Sequence, residues 1–516
     1  MESGVTRRRF VSVVAAGTVL AGCDTGGSGK TASKAAAGKP KRGGTLRVGL
    51  SGGGSTDTLS PLNQITVPDY ARAPQLFDPL VGFDKNGRPE FVLAEEITSN
   101  ADATEWTIRV KSGVTFHDGK DLTADDVKHL FETSVDPATG SGGAAHLATL
   151  DVGGIRKLDK HTLRVPFKQP YSTLVDTLAD YFFYVIPVGF DAKKPVGTGP
   201  FKFESFTPGQ ESTFSANKNY WETGRPYVDS LVMTNYPDES SQVNALVSKQ
   251  TDMVNLLSNA SVSTVESNGG RVLVGRSGGF NPIVMNVQKA PFTDERVRLA
   301  MKLIVNRKEM LDQVFGGKGA IANDIPSIWD DMYDHDIPQH EQDLEQAKSL
   351  LKQAGQDGLR IELVTGDIAQ GVVQTAQVFA QQAKGAGVDV KLRKVTAAEL
   401  FGPNYLKWTF TQSYWVYNPY FPQVALADLD NSFYQETHYA DPRYRKLYFQ
   451  ALATTDEAAR REIAHEMQRI YWEGSGYIIP YFAPVIDAHA PNVNGVTEGS
   501  LGYSFNLFRF KDVWLA

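Results

Sequence analysis

Trp106-Thr107-Ile108-Arg109-Val110, then Gly113-Val114-Thr115-Phe116-His117-Asp118-Gly119, then Thr123-Ala124-Asp125-Asp126-Val127-Lys128-His129-Leu130-Phe131 is the stretch on which the fold turns. Its first five residues alternate apolar and polar, which predicts a strand with one buried face. Asp118-Gly119 predicts a tight turn, since glycine adopts left-handed backbone angles without steric cost. Thr123 with Asp126 three residues on is a capping-box-like helix start. Val127, Leu130 and Phe131 then fall on one helical face. His117, beside a glycine turn, reads as a turn residue rather than a ligand to metal or substrate.

The same change of period recurs outward in both directions. Thr45–Leu50 alternates as a strand and runs into the glycine-rich Ser51–Ser55, and Val196-Gly197-Thr198-Gly199-Pro200-Phe201 is a tight turn before another alternating run. Past residue 290, Thr293 is expected to cap a helix carrying Val297, Ala300, Met301 and Ile304. A second helix carries Leu344, Ala347, Leu351 and Ala354 and stops at Gly355. A third starts at Thr454-x-x-Glu457 and buries Ile463, Met467, Ile470 and Tyr471. Arg360–Val364 and Val388–Leu392 read as strands between them. Strands alternating with helices imply α/β layers.

The chain has 516 residues, 41% apolar and 22% charged, enough for a sizeable core and about three domains. Its net charge of −7 argues against nucleic acid as a partner, which needs clustered Lys and Arg. A single cysteine, Cys23, excludes an intramolecular disulfide.

The N-terminus reads as an address. Arg7-Arg8-Arg9 precedes an apolar run from Phe10 to Leu20, too short for a membrane span of ~20 residues but right for an export signal. The stretch Thr6–Val11 resembles a twin-arginine signal, with Arg7 and Arg8 as the recognised pair. Leu20-Ala21-Gly22-Cys23 resembles a bacterial lipobox, in which Cys23 is acylated and becomes the new N-terminus. Residues 1–22 are thus expected to be a signal peptide. Residues 23–43, rich in Gly, Ser, Ala and Lys after the cysteine, are expected to be a flexible tether reaching roughly 25 Å.

Several blocks in series resemble the peptide/nickel family of solute-binding proteins that serve ABC importers. They are Trp106–Val110 with Phe116–Gly119 and the helix from Thr123; Val196–Phe201 through Asn219-Tyr220-Trp221; Asn286 through Pro291-Phe292 and Arg296–Ala300; and Tyr444 onward to Tyr477–Pro480. The resemblance implies a two-lobed periplasmic-binding-protein fold of type II, with an additional domain inserted in the first lobe. Carried onto this chain, lobe I is 44–75, 195–283 and 491–516, the additional domain 76–194, and lobe II 284–490. The crossovers are expected near Phe280–Met285 and Pro484–Pro491. The implied protein is a monomer on the outer face of the bacterial cell membrane. It captures an oligopeptide or dipeptide and hands it to a permease and its ATPase subunits.

The ligand stretch is expected at Tyr414-Trp415-Val416-Tyr417-Asn418-Pro419-Tyr420-Phe421, where five of eight residues are aromatic. Aromatic faces give large contact area with few torsions to freeze. Two readings stand: a binding surface, or a core strand with edge aromatics. The expected contacts are Phe280, Asn281, Tyr414, Trp415, Tyr417 and Asn418. The resemblance adds a departure, because peptide-binding members carry an aspartate after this tryptophan that pairs with the ligand's amino group. The matching residue here is Asn418. A neutral amide holds an ammonium less strongly than a carboxylate does, so uncharged ligands such as oligosaccharides stay open. A ligand-sensing lipoprotein with the same body is a further alternative.

The expectation is a binding protein, not an enzyme, with no cofactor and no metal. His465-Glu466 lacks the second histidine of a zinc motif, and the nine histidines are scattered. Carboxylates are plentiful, so sequence alone leaves a glycosidase pair open.

Overall fold

Leu46, Val48 and Leu50 alternate along strand Thr45–Ser51, and all three are almost completely buried. That strand sits inside a seven-stranded sheet, paired in parallel with Ser230–Tyr236 on one side and Met253–Val254 on the other. The sheet continues antiparallel through Glu211–Ala216 to Phe201–Thr207, and in the other direction through Val485–His489 to Arg271–Gly275. The computed structural model describes residues 39–84, 87–430, 432, 434–499 and 501–516. The expected signal, Arg7, Arg8, Cys23 and most of the tether lie outside the described residues.

A second sheet of five strands runs in the order Asp389–Val395, Arg360–Gly366, Phe410–Gln412, Ile283–Met285, Tyr477–Ile478. Its own core gathers Met285, Phe292, Val297, Met301, Phe379 and Phe410. A third sheet, Ala94–Ser99, Glu105–Val110, Thr162–Pro166 and Arg156–Lys157, belongs to the segment inserted after the first helix, Val67–Leu76.

The chain passes between the first two sheets twice. It leaves the seven-stranded sheet after Gly275 and enters the five-stranded one at Ile283, then returns from Ile478 to Val485. Both crossings fall a few residues earlier than expected. The first is early because Ile283–Met285 already pairs inside the five-stranded sheet, and the second because strand Val485–His489 extends the first sheet by pairing with both Met253–Val254 and Arg271–Gly275. The boundary expected at residue 490 lies beyond that strand.

The helix at Ala124–Val135 has the expected cap: the Thr123 hydroxyl accepts from the Asp125 N–H, and Asp126 accepts from the Thr123 N–H at 2.9 Å. Two other caps differ. Asp294, not Thr293, caps Glu295–Leu303, and Asp456, not Thr454, caps Glu457–Gly474. In both, the carboxylate reaches a first-turn N–H at 2.8–2.9 Å and adds its negative charge at the positive end of the helix.

His117 does more than occupy a turn. Its Nδ1 accepts from the Gly197 N–H at 3.3 Å and its Nε2 faces the Gly199 carbonyl at 3.0 Å. Burial pushes its pKa down to about 4, so the neutral ring joins the inserted domain to the turn at 196–201. Gly197 and Gly199 press against the end of the first helix. A Cβ at Gly197 would lie 2.0 Å from the Leu76 carbonyl oxygen, and one at Gly199 2.5 Å from the Leu76 carbonyl carbon.

The second lobe buries a charged group. Asp324 accepts from Arg307 at 2.7 Å, from His340 Nδ1 at 2.8 Å and from the Ile479 N–H at 2.8 Å. Lys302, fully buried, donates to the Trp472 carbonyl at 2.6 Å. Burial lowers its pKa to about 8, and Asp324 opposes that shift.

Candidate functional site

Phe410–Gln412 is a short central strand of the second sheet; after it the chain loops through 413–419 and then forms helix Tyr420–Ala427. Pro419 ends the loop at the helix N-cap position, which suits a residue with a fixed backbone angle and no N–H to donate. The aromatic stretch is therefore strand end, loop and helix start rather than one core strand.

Trp415 is held by backbone. It exchanges two hydrogen bonds with Phe280, at 2.9 and 3.0 Å, and the two rings lie nearly parallel, 6.5 Å apart. Phe280 belongs to the first crossing and also bridges Phe482 of the returning one. The Trp415 indole N–H donates to Glu436 at 3.2 Å. Glu436 is buried, and its carboxylate also accepts from Ser413 at 2.6 Å, Tyr477 at 2.8 Å and Tyr405 at 2.9 Å. Burial raises its pKa and these donors pull it back. A buried carboxylate thus fixes the ring that the sequence singles out.

The six expected contact residues divide. Tyr414 is 44% exposed and Trp415 is half-buried. Tyr414 packs edge-on against Phe401, their ring centroids 6.0 Å apart. Tyr417 and Asn418 are buried but line cavities. Phe280 is 2% exposed and serves as packing beneath Trp415. The Asn281 amide donates to the Gln370 carbonyl at 2.8 Å and toward Tyr481, inside the second lobe.

Two cavities flank Tyr417 and Pro419. One, of about 110 Å³, is walled by Gln75 of the first helix, Asp78, Asp180 and Tyr181 of the inserted segment, Tyr503 near the C-terminus, and Tyr417–Pro419. The other, of about 330 Å³, lies between Phe83, Trp106 and Asp176 on one side and Trp329, Asp330 and Arg460 on the other. Burial pushes Asp176 up to about 7, and Asp330 adds to it. The walls are held together around them: Ser172 donates its N–H to the Leu452 carbonyl at 2.9 Å, and Arg88 meets Asp331 at 3.2 Å.

Sequence reasoning passed over Gln75, Asp176, Asp180, Glu436 and Tyr503. One signal was available: Tyr181-Phe182-Phe183-Tyr184 is as aromatic as the stretch at 414–421 and follows Asp180 directly. The sequence is expected to carry no Gly-x-Ser-x-Gly elbow, yet Gly275-Arg276-Ser277-Gly278-Gly279 has that spacing. The elbow needs a strand, a turn and then a helix. Here the next element is strand Ile283–Met285, and the buried Ser277 hydroxyl accepts from the Gly279 N–H at 2.8 Å. Among the described residues no cluster of three or more His, Cys, Asp or Glu is arranged to hold a metal, and no helix is long and apolar enough to cross a membrane.

Two lobes, an inserted domain and cavities between them define a binding protein of the two-lobed α/β type. The sequence profile of the bacterial extracellular solute-binding proteins, family 5 Middle, matches residues 88–468, and the chain belongs to that family. Among curated relatives, the oligopeptide-binding protein AppA of Bacillus subtilis is 28% identical over 407 residues, 73% of this chain and 74% of AppA. The glutathione-binding protein GsiB of Escherichia coli K12 is 25% identical over 490 residues, 88% of this chain and 92% of GsiB. The solved ABC transporter substrate-binding protein CtaP of Listeria monocytogenes superposes with a TM-score of 0.82 at 19% identity, covering 92% of this chain and all of CtaP. The fold expected from the resemblance is the one found.

Proposed function

We propose that this protein captures a peptide between its lobes and delivers it, unchanged, to an ABC permease and its ATPase subunits. The observation that carries the reading is the pair of cavities meeting at Tyr417 and Pro419, each walled by the second lobe and by parts of the chain across the cleft. A ligand there touches both sides only when the lobes are closed, so binding favours closure by its differential affinity for that state. A micromolar ligand supplies about 8 kcal/mol in all. The names of AppA and GsiB support a peptide as the ligand class.

Mass spectrometry of material released from the purified, denatured protein tests this directly. Recovery of peptides supports it; recovery of an oligosaccharide, or of products made from the added peptide, overturns it. Trp415→Ala is expected to weaken binding by about 1–2 kcal/mol, as loss of a well-packed aromatic contact does, with the far-ultraviolet dichroism unchanged. Titration of both proteins with the recovered ligand measures it.

The reading includes a lipid anchor at Cys23, reached through the signal at Arg7 and Arg8, and a monomeric body outside the cytoplasm. The support is sequence: a basic pair, a short apolar run and small residues before one cysteine. Cys23→Ser is expected to move the protein from the membrane fraction to the soluble fraction, while Arg7→Lys with Arg8→Lys keeps it in the cytoplasm. Fractionation with immunoblotting reads both. A Cys23→Ser protein that still sediments with membranes removes the anchor.

A further inference from the structure

The loop Leu256-Leu257-Ser258-Asn259, just past strand Met253–Val254, is built as a rigid tab on the first lobe. The Leu256 N–H donates to Asp487 at 3.2 Å, and the Leu257 N–H donates to the Ile486 carbonyl at 2.7 Å. The Ser258 N–H and hydroxyl both donate to Glu239 at 2.8 Å. The Leu257 side chain is completely buried in a small cluster with Val243, Leu246, Val254, Ile486 and Ala488. Leu256 holds a left-handed φ of 52°, which a bulky residue keeps only where its surroundings over-determine it.

The tab offers two acceptors to the other lobe. Gln370, between strand Arg360–Gly366 and helix Val372–Gly385, donates its side-chain N–H to the Leu257 carbonyl at 2.9 Å. Lys318, past helix Arg307–Phe315, donates to Asn259 Oδ1 at 2.6 Å. The Gln370 carbonyl in turn accepts from Asn281 of the first crossing, while Ile486 and Asp487 lie on the strand that follows the second. Among the described residues that wall the two cavities, none is Leu257, Asn259, Lys318 or Gln370. A hydrogen bond between two bodies that turn about a hinge depends on the angle between them, because it weakens steeply once donor and acceptor part or misalign.

We propose that this tab is a latch: the bonds that Gln370 and Lys318 make to it hold the lobes at the angle that walls the cavities on both sides, and so set how long a bound molecule stays. The inference rests on capture between the lobes, but not on the cargo being a peptide. A contact made in one lobe arrangement and lost in the other shifts the equilibrium between them by its own free energy, whether or not it touches cargo. Release requires opening, so breaking the latch is part of the barrier to release. Two hydrogen bonds exchanged for bonds to water give only a small bias, which lets the lobes reopen as delivery requires.

The test combines small-angle X-ray scattering of the peptide-free protein with native mass spectrometry of its complexes with a mixture of tri- to pentapeptides. Gln370→Ala is expected to raise the radius of gyration and to speed peptide loss, after transfer to peptide-free buffer, about twofold to tenfold, the ratio for one hydrogen bond. Asn259→Asp gives Lys318 a charged partner and is expected to slow that loss about twofold, as an exposed ion pair does. It decides the matter if Gln370→Ala does not fold. A merely structural role for Gln370 would lower the melting temperature of Gln370→Ala and leave its radius and loss rate at wild-type values; that result overturns the latch and leaves capture standing. Loss rates that move in the same direction in the two variants overturn it as well. Binding of no peptide by wild type overturns the peptide reading, and the radius of Gln370→Ala then decides the latch alone.

Discussion

Replacing Asp324 by Asn should cost about 3–5 kcal/mol of folding stability, the range seen when one partner of a buried ion pair is removed. Arg307, Lys302 and His340 surround this single carboxylate, and all are buried. Asn keeps the shape and the acceptor for the Ile479 N–H but leaves two cations without a counter-charge. Among the described residues Asp324 is the one acid paired with Arg307, whose other terminal nitrogen donates to the His340 carbonyl. Burial works to raise the Asp324 pKa, but Arg307 and His340 outweigh it and hold the group well below the ordinary carboxylate range. An acid with a depressed native pKa stabilises fully above its unfolded value near 4, and the gain is lost as pH falls through the native value. Lys302, near 8 with Asp324 beside it, falls further without it, so the gap between wild type and variant should be widest near pH 5, narrow as pH rises through about 8, and close in strong acid. Denaturant titration measures it. Asp312→Asn is the comparison, since its pair with Lys308 is exposed and worth about 0–1 kcal/mol. Equal effects at the two positions would refute the account.

Glu436→Ala should lose about 3 kcal/mol of stability and also weaken ligand binding. Its carboxylate receives Ser413, Tyr405, Tyr477 and Trp415. Removing one acceptor strands four donors, and a buried donor without a partner costs about 1–3 kcal/mol, reduced where a hydroxyl rotates to a new partner. Trp415 loses the bond that sets its ring plane, so affinity falls even in the folded fraction. Glu436→Gln keeps an acceptor oxygen and should retain much of both. Urea unfolding and ligand titration on the two variants separate stability from affinity; a Glu436→Ala protein with wild-type stability would show that these donors find other partners.

The strands and helices were legible wherever one face is buried, because alternation and the helical period are imposed by that face alone. Leu46, Val48 and Leu50 show it for a strand, and Val127, Leu130 and Phe131 for a helix. Caps were less legible, since Thr293 and Thr454 stand beside aspartates that make the stronger bond. The site was legible only where composition is unusual. Tyr414–Phe421 announces itself by its aromatic density, and Tyr417 and Asn418 do reach the cavities. Asp180, Gln75 and Tyr503 come from segments far apart in the chain, and an acid among 59 acidic residues carries no local mark. Their place is set by the cavity that the fold brings them to, and that is not written in sequence spacing.

Gly197 and Gly199 tie mutational tolerance to ligand size. They lie beneath the Leu76 carbonyl, and the residues on either side of Leu76, Gln75 and Phe77, form part of the smaller cavity's wall. Any larger residue at either position would lever that helix end upward and shrink the space. In a saturation library selected for folded protein, these two codons should return glycine almost alone. The rare survivors should be those that accept shorter cargo.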